Sequence, residues 1–241
     1  MKITLVIPAH NEEAVLEKNI RETLNFLFPN FDQKDWQIII AENGSRDKTS
    51  ETARRLCEQE KNLSTFSLSQ ASKWLAVKKG WNSFPADYLI FMDADLATDL
   101  KHLPELIEKL KENDLVIGTR YHKNSQTKRT LKRNLLSMVY NHLARLILSL
   151  PFSDFQCGFK GLRYETWLKI KPLILSDQMS FDTEIIALTK HFGYKIAELP
   201  VCWAEKNSEQ RKSRVRIFKT GRDLIKNLFC LRRRLAHLKK I

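Results

Sequence analysis

The chain has 241 residues, 43% of them hydrophobic, four scattered cysteines and a formal net charge of +13. This length supports a soluble core without disulfides, and because no Cys-x-x-Cys pair or Cys/His spacing typical of a zinc site is present, we expect reduced thiols in a cytosolic setting. The charge is uneven: residues 120–153 contain seven Lys or Arg and no acid, and residues 206–241 contain thirteen Lys or Arg against two acids. Such patches predict an anionic partner, and composition alone does not choose among nucleic acid, a phospholipid surface and a phosphorylated substrate.

Short apolar runs alternate with amphipathic helical patterns along the chain. Runs rich in β-branched and aromatic residues predict strands at residues 3–7, 36–41, 63–68, 88–92 and 115–119. Apolar residues at spacings of three and four predict helices at residues 16–27, 47–60, around 76–77, 103–110 and 131–150. Strands that alternate with helices in this way predict an α/β fold with a doubly wound, mainly parallel sheet.

The end of the chain predicts a further, basic amphipathic helix. From Ile217 onward, apolar residues follow helical spacing and are interspersed with lysines and arginines. Such a helix either lies in a membrane interface or packs on its own domain with a solvated basic face. No segment predicts a membrane span, because the apolar run after Met1 is too short for a signal peptide and residues 135–152 contain His142 and Arg145. We therefore expect any contact with a membrane to be made from its surface.

Two acidic residues follow the predicted strand at residues 88–92. Asp93 and Asp95 share one face of an extended chain, because side chains at i and i+2 point the same way. Two carboxylates at the end of a buried strand suit Mg²⁺ or Mn²⁺, although an Asp-rich turn would explain the same pattern. Polar clusters at residues 8–12 and 42–47 also follow strands, and such sheets bind ligands beyond the carboxyl ends of their strands. The three clusters together predict a binding site at this edge.

Five motifs occur in the order found in a known family: Pro-Ala-His-Asn-Glu at 8–12, Glu-Asn-Gly-Ser-Arg-Asp-Lys-Thr at 42–49, Asp-Ala-Asp at 93–95, Gly-Thr-Arg at 118–120 and Gln-Cys-Gly-Phe-Lys at 156–160. In these motifs the chain resembles family 2 glycosyltransferases, and among them the polyprenyl-phosphate sugar transferases such as dolichyl-phosphate glucosyl- and mannosyltransferases. The resemblance runs from Ile3 to about Trp203. It implies a GT-A fold, a nucleotide-diphosphate sugar as donor, inverting transfer, and Mg²⁺ or Mn²⁺ held by Asp93 and Asp95.

Two positions depart from the family pattern. The chain has Glu42-Asn43 where the family usually has two aspartates, and Ser72-Lys73-Trp74 where it usually has a Gly-Lys-Gly loop. The first change keeps one acid for the nucleobase, and the second places an indole where a flexible glycine is usual. The base of the donor is therefore open between uracil and guanine.

The resemblance also assigns roles to single residues. The donor-binding residues that it implies are Pro8, Ala9, Glu12, Glu42, Lys73 and Arg214. Glu42 would accept a hydrogen bond from a ring N–H of the nucleobase. Asp154 joins Asp93 and Asp95 among the implied catalytic residues, either as the base or as a residue that orients substrate hydroxyl groups. Asp182 is a weaker candidate, because an acid at the start of a helix also favours the positive end of the helix dipole.

Three further residues correspond to family positions that hold the phosphate of a lipid acceptor: Arg120, Arg133 and Ser137. Guanidinium groups match phosphate well in geometry and charge. Arg133, Ser137 and Asn141 recur at intervals of four on the predicted helix at residues 131–150, so they form one polar stripe. The alternative interpretation is that this stripe is the solvated face of a surface helix.

The sequence thus predicts a metal-dependent hexosyltransferase domain at residues 1–210, followed by a basic tail at residues 211–241. The expected partners are a UDP- or GDP-sugar, a polyprenyl phosphate and the cytosolic face of a membrane, and a separate membrane subunit is compatible with them. A glycan hydroxyl as acceptor is the nearest alternative. A basic nucleic-acid-binding module is disfavoured because the basic segments lack interleaved aromatic residues. The changes at Asn43 and Trp74 also leave open an inactive scaffold that docks on a membrane.

Overall fold

A computed structural model describes residues 1–176, 180–205 and 217–238 of the chain. Within this part, the strands are β1 (Ile3–Ala9), β2 (Trp36–Asn43), β3 (Leu63–Leu68), β4 (Tyr88–Met92), β5 (Leu115–Thr119), β6 (Gln126–Lys128), β7 (Phe159–Arg163), β8 (Ile196–Pro200) and β9 (Cys202–Ala204). The α-helices are α1 (Leu16–Asn30), α2 (Thr49–Gln59), α3 (Lys73–Ser83), α4 (Leu103–Leu110), α5 (Leu131–Leu148), α6 (Tyr164–Ile170), α7 (Phe181–His191) and α8 (Ile217–His237). Each strand and helix predicted from the sequence is found, with ends that differ by a few residues.

Seven strands form one mixed sheet in the order β3-β2-β1-β4-β7-β5-β8. Neighbouring strands run parallel except at β7, which is antiparallel to both β4 and β5. Strands β6 and β9 form a separate two-stranded parallel ribbon. Apolar clusters lie on both faces of the large sheet, so the central strands are buried on both sides. This burial explains why their sequences are nearly continuous apolar runs. The predicted α/β class with a mainly parallel sheet is confirmed.

Strand β7 is the main element that the sequence analysis did not predict. It enters the sheet between β4 and β5 in the opposite direction, with Phe159 opposite Met92 and Lys160 opposite Ile117. Gly161 in its centre leaves room for helix α4, because a Cβ atom there would lie 2.6 Å from a methyl group of Leu106. An antiparallel insertion brings the amino end of β7 to the same edge as the carboxyl ends of its neighbours. The Gln-Cys-Gly-Phe-Lys motif therefore meets the Asp-Ala-Asp motif.

Helix α8 packs against the rest of the protein. Leu228 and Leu231 are buried in the apolar cluster that also contains residues of α5 and α7, and Arg234 forms an ion pair with the buried Glu184 of α7. Packing on its own domain, one of the two alternatives for this helix, is thus observed for these residues. The predicted boundary between residues 210 and 211 lies outside the described residues, so the division of the chain stays a prediction. Across the three described ranges, no helix is both long and apolar enough to cross a membrane.

Candidate active site

The loops after β1 and β2 are joined by a series of hydrogen bonds. The Nδ1 atom of His10 lies 2.8 Å from the carbonyl oxygen of Asn43, and the backbone N–H of Asn11 donates to the hydroxyl of Ser45. The backbone N–H of Arg46 donates in return to the side-chain oxygen of Asn11 at 2.8 Å. Two motifs that are more than thirty residues apart in the chain therefore form one continuous wall at the predicted edge of the sheet.

Glu42 lies at the base of this wall. It is 4% exposed, and its Oε1 atom accepts a hydrogen bond from the backbone N–H of Ser45 at 2.6 Å. The turn passes through Gly44, which has φ +67° and whose Cβ would lie 2.8 Å from backbone atoms of Gln70 and Ala71. Only glycine combines this conformation with such a close approach. The turn after Glu42 is thereby fixed directly against the chain that leads into α3.

The other predicted donor-binding residues differ in how they reach this edge. Pro8 and Ala9 lie in β1 with buried side chains, so they can offer a ligand mainly their backbone. Glu12 is partly exposed, and its backbone N–H donates to the hydroxyl of Thr49 at 2.8 Å. Arg214 lies outside the described residues, and its assignment stays a prediction.

Asp93 and Asp95 follow β4 as predicted. The side chain of Asp93 is 35% exposed, and its Oδ1 atom lies 2.5 Å from the ammonium group of Lys73. The Oδ1 atom of Asp95 accepts a hydrogen bond from the backbone N–H of Ala97 at 3.1 Å. Directly after Asp95 the chain turns through Leu96, which has φ +50° and is 2% exposed. This conformation is rare for a residue with a Cβ atom. The turn is supported by burial of the leucine side chain and by a hydrogen bond from the backbone N–H of Leu96 to the carbonyl oxygen of Asp93 at 3.1 Å.

Gly158 of the Gln-Cys-Gly-Phe-Lys motif makes room for Asp93. Its carbonyl oxygen accepts a hydrogen bond from the backbone N–H of Asp93 at 3.2 Å. A Cβ atom at position 158 would lie 1.9 Å from Oδ2 of the Asp93 carboxylate. The carboxylate therefore occupies the space that any larger residue in the motif would need.

Lys73 connects the Ser72-Lys73-Trp74 departure with the Asp93 carboxylate. Its ammonium group lies 4.4 Å from the centre of the Trp74 ring. Burial by itself lowers the pKa of Lys73, but the carboxylates of Asp93 and Asp182 outweigh this effect and raise the pKa above its ordinary value. The Trp74 side chain is buried and stacks on Phe181, with ring centres 5.5 Å apart. The indole thus belongs to the core, and the lysine keeps its contact with Asp93.

The carboxylates fit a divalent cation by their chemistry. Asp93 and Asp95 offer hard oxygen atoms at one edge, and the contact with Lys73 shows that Asp93 already holds a positive charge. No group of three or more His, Cys, Asp or Glu side chains suited to a metal occurs among the described residues. Further ligands would have to come from substrate oxygens and water, which is the usual arrangement for Mg²⁺ bound with phosphates.

Asp154 is fully buried and paired with Arg120. Its two carboxylate oxygens accept from Nε and a terminal nitrogen of the guanidinium at 2.7 and 2.9 Å. Burial by itself raises the pKa of Asp154, but the charge and hydrogen bonds of Arg120 outweigh it and hold the pKa below its usual range. Asn141 also contacts the carboxylate, at 3.5 Å. This geometry suits a residue that positions Arg120 better than one that removes a proton from an acceptor.

A second buried ion pair, which the sequence analysis missed, joins Lys160 and Asp182. Both side chains are 1% exposed, and the ammonium nitrogen lies 2.8 Å from Oδ1 of Asp182. The same ammonium donates to the carbonyl oxygen of Cys157 at 2.5 Å. Buried lysines occur almost only with partners, so a lysine between Phe159 and Gly161 in an apolar strand was the available signal. Asp182 is therefore more than a solvated acid at the start of α7.

Two of the three residues in the polar stripe of α5 face the protein interior, and the third, Arg133, is half-buried with 35% of its side chain exposed. Ser137 and Asn141 are 7% and 3% exposed, and the Asn141 side-chain oxygen accepts from the backbone N–H of Phe155 at 3.0 Å. Arg133 forms an ion pair with Glu205. The structure thus contradicts the alternative of a solvated stripe, and it brings Asn141 next to Asp154.

The outer face of α5 is apolar and exposed. Its large apolar side chains with more than 40% exposure are Leu131, Leu135, Leu136, Met138, Val139 and Leu146. Ile225 and Phe229 of the neighbouring helix α8 are exposed as well, at 38% and 54%. Leu146 of α5 and Phe229 of α8 line one groove. Large exposed apolar patches are uncommon on soluble monomers and usually mark an interaction surface.

Comparison with known proteins identifies relatives that are similar to this protein over most of its chain. The family model described as Glycosyl transferase family 2 matches residues 4–167. Glycosyltransferase AglD of Haloferax volcanii is 31% identical over 209 residues, which cover 86% of this chain and 34% of that protein. Dolichyl-phosphate beta-glucosyltransferase ALG5A of Trichomonas vaginalis is 33% identical over 237 residues, covering 93% and 72%. The chain spans about a third of the length of AglD.

Solved structures show the same fold at low sequence identity. Glucosyl-3-phosphoglycerate synthase from Mycobacterium tuberculosis, in complex with UDP, has a TM-score of 0.69 at 18% identity, covering 95% of this chain and 79% of that one. The same enzyme in complex with Mn²⁺, UDP and glucosyl-3-phosphoglycerate has a TM-score of 0.65 at 16% identity, covering 99% and 81%. The predicted GT-A fold is confirmed.

Proposed function

The chain belongs to glycosyl transferase family 2, and from this premise we propose that it transfers a hexosyl group, with inversion, from a nucleotide-diphosphate sugar to a polyprenyl phosphate. The relatives named dolichyl-phosphate beta-glucosyltransferase support both the acceptor class and glucose as the first sugar to test. The donor is a UDP- or GDP-sugar.

The proposal rests mainly on one observation: two acidic residues, Asp93 and Asp95, and the basic residue Arg120 lie at the same edge of the sheet. Asp93 and Asp95 lie on one side, where carboxylates suit a cation that binds a diphosphate. Arg120 begins the acid-free basic segment at residues 120–153. The two sides are joined through residues 154–158, because Asp154 at the start of this segment contacts Arg120 and Gly158 at its end contacts Asp93.

The state of Asp154 favours a phosphate as acceptor over a glycan hydroxyl. A hydroxyl needs a base to remove its proton, and a carboxylate with a lowered pKa that is already paired with Arg120 is a poor base. A phosphate monoester has a second pKa near 6, so its oxygen is largely anionic at neutral pH and needs little deprotonation. An acceptor oxygen that is already ionised does not need Asp154 as a base, and a phosphate meets this condition.

Mg²⁺ or Mn²⁺ bound at Asp93 and Asp95 would neutralise the charge that develops on the diphosphate leaving group. Lys73 contacts the same carboxylate, so its ammonium group would lie beside the diphosphate and add a second positive charge. Glu42, fixed by Ser45, would contact the nucleobase at the far end of the wall.

We place the enzyme at the cytosolic face of a membrane, as a peripheral protein. The exposed apolar face of α5, together with Ile225 and Phe229 of α8, offers a surface that would enter the interfacial layer. Exposed cations at Arg232 and Arg233 lie beside the groove between these helices, where they would meet anionic headgroups. The four free cysteines are consistent with a reducing compartment.

The proposal is tested by incubating the protein with a panel of UDP- and GDP-sugars and polyprenyl phosphate, with and without Mn²⁺ or Mg²⁺. We expect a metal-dependent glycolipid product that is lost in Asp93→Asn and Asp95→Asn variants which remain folded by circular dichroism. Asp99→Asn is the matched control, because Asp99 is an exposed acid of the same loop that pairs with Lys101. Transfer to an oligosaccharide but to no polyprenyl phosphate would establish the glycan alternative instead.

A further inference from the structure

Three arginines surround the start of α5, and their partners differ. Arg120 is held by the carboxylate of Asp154, and Arg133 is held by Glu205. Arg129 forms no ion pair with any acid among the described residues, although it lies between them in the same basic segment. A phosphate would have to displace a carboxylate to reach full contact with Arg120 or Arg133, whereas no described residue sets such a competitor at Arg129.

Arg129 is held in place by aromatic side chains. Its guanidinium lies 5.5 Å from the centre of the Trp203 ring, and one terminal nitrogen donates to the hydroxyl of Tyr121 at 3.4 Å. The guanidinium of Arg120 lies 5.6 Å from the same Trp203 ring, so two cations share one indole. These contacts hold the Arg129 guanidinium against neutral aromatic groups, which leave its positive charge in place.

The Nε atom of Arg129 is buried and has no hydrogen-bond partner among the residues that the structure describes. A buried donor without an acceptor is unfavourable, and it is costlier when the group is charged. Burial, and then the neighbouring charge of Arg120, lowers the pKa of Arg129, although an arginine stays charged at neutral pH. An anion beside this nitrogen would supply the missing acceptor and relieve the repulsion between the two guanidinium groups.

We propose that Arg129 binds the phosphate group of the acceptor, because among the described residues no carboxylate already occupies its guanidinium group. The inference rests on the proposed function and adds a residue to it. The guanidinium fork matches two phosphate oxygens, whereas an ammonium group would offer only a point charge. The donor diphosphate is the other source of the same chemistry, and the experiment separates the two.

The position of Arg129 along the chain favours a lipid phosphate. Two residues later comes Leu131, which is 87% exposed and begins the apolar outer face of α5. If this face enters the interfacial layer, Arg129 lies at the level of the headgroups. The apolar chain of the acceptor then stays in the membrane while its phosphate contacts the guanidinium.

The test uses Arg129→Gln and Arg129→Lys with a short-chain, water-soluble prenyl phosphate, so that membrane binding does not affect the result. For Arg129→Gln we expect the acceptor KM to rise on the order of tenfold to a hundredfold, since a charge-assisted hydrogen bond is lost. The acceptor KM of Arg129→Lys should lie between the values of the parent and of Arg129→Gln, because lysine keeps the positive charge but lacks the two-pronged guanidinium group. Lys123→Gln is the matched control, since it removes the same charge from an exposed position of the same segment.

Two binding measurements accompany the kinetics, namely titration calorimetry of the nucleotide sugar with Mn²⁺ and of the prenyl phosphate alone. Weaker prenyl phosphate binding with unchanged donor binding and an unchanged thermal midpoint supports the proposal. Equal loss of donor affinity would overturn it in favour of the donor diphosphate. An unchanged acceptor KM in a variant whose parent makes glycolipid would also overturn it, and a parent that makes no glycolipid would overturn the proposed function together with it.

Discussion

Replacing Asp154 by Asn isolates the contribution of the buried ion pair between Asp154 and Arg120. The substitution keeps the size of the side chain and one oxygen acceptor, and it removes the negative charge. Arg120 then remains buried without a counter-ion, since its side chain is 6% exposed and that of Asp154 is 0% exposed. We expect a large loss of stability without a change of fold.

The magnitude follows from burial and hydrogen bonding. The carboxylate accepts two bonds from the guanidinium and one from the backbone N–H of Arg120, all within 3.2 Å. Removing one partner of such a buried pair costs about 3–5 kcal/mol of the free energy of unfolding. With an m-value of about 3 kcal/mol/M in urea, the midpoint should fall by about 1–1.7 M.

The assay is equilibrium unfolding in urea for Asp154→Asn, Arg120→Met and the double variant. The cycle should give a favourable coupling of several kcal/mol, because the double variant no longer buries a lone charge. Glu17→Gln is the control, because Glu17 pairs with Arg21 and Arg55 at the surface and should change the midpoint far less. A loss below about 1 kcal/mol for Asp154→Asn would refute the reasoning from burial.

The same variant has a defined pH dependence. Because the folded pKa of Asp154 lies below its unfolded value of about 3.9, its contribution to stability is fully present above that pH. The contribution is lost as the pH falls through the folded pKa. The difference in the free energy of unfolding between the parent and Asp154→Asn should therefore be constant from about pH 5 to 8 and shrink below about pH 4. A difference that already changes between pH 5 and 8 would contradict the lowered pKa.

The remaining predictions concern the donor edge, the core and the outer face of α5. Gly158→Ala should abolish metal-dependent transfer, because the new Cβ collides with the Asp93 carboxylate; normal activity would contradict this. Trp74→Gly should lower the free energy of unfolding in urea by about 3–5 kcal/mol, since the indole is buried in the core, and a loss below about 1 kcal/mol would show that it is not. Leu135→Glu with Met138→Glu should reduce sedimentation with anionic vesicles while changing stability by less than about 1 kcal/mol, and unchanged sedimentation would exclude this face from membrane contact.

The local pattern of the sequence was sufficient to predict the fold class and the edge of the sheet at which the candidate site lies. Continuous apolar strands separated by amphipathic helices can be buried only in a mainly parallel sheet with helices on both faces. Asp93 and Asp95 could be placed together because the two-residue repeat of a strand is a local rule. The motifs at residues 8–12 and 42–49 could be placed at the same edge because the carboxyl ends of parallel strands meet there.

Pairings between distant residues could not be derived in this way. β7 contains Lys160 and Gly161 among its apolar residues, so its sequence alone does not mark it as a central strand, and its direction depends on β4 and β5. The pairing of Asp154 with Arg120 joins residues 34 positions apart. Nothing in the sequence near Asp154 shows that its carboxylate is already occupied, so its role as a base could be judged only from the structure.

In helix α5 the sequence indicates which residues share a face, whereas the buried face is known only from the tertiary structure. Its periodicity determined that Arg133, Ser137 and Asn141 form one polar stripe on an otherwise apolar helix. Periodicity does not say which side faces inward, because an apolar face is satisfied equally by a protein core or by lipid. The structure decided this by placing the polar stripe against Asp154 and Glu205, which leaves Leu131 and its apolar neighbours outside.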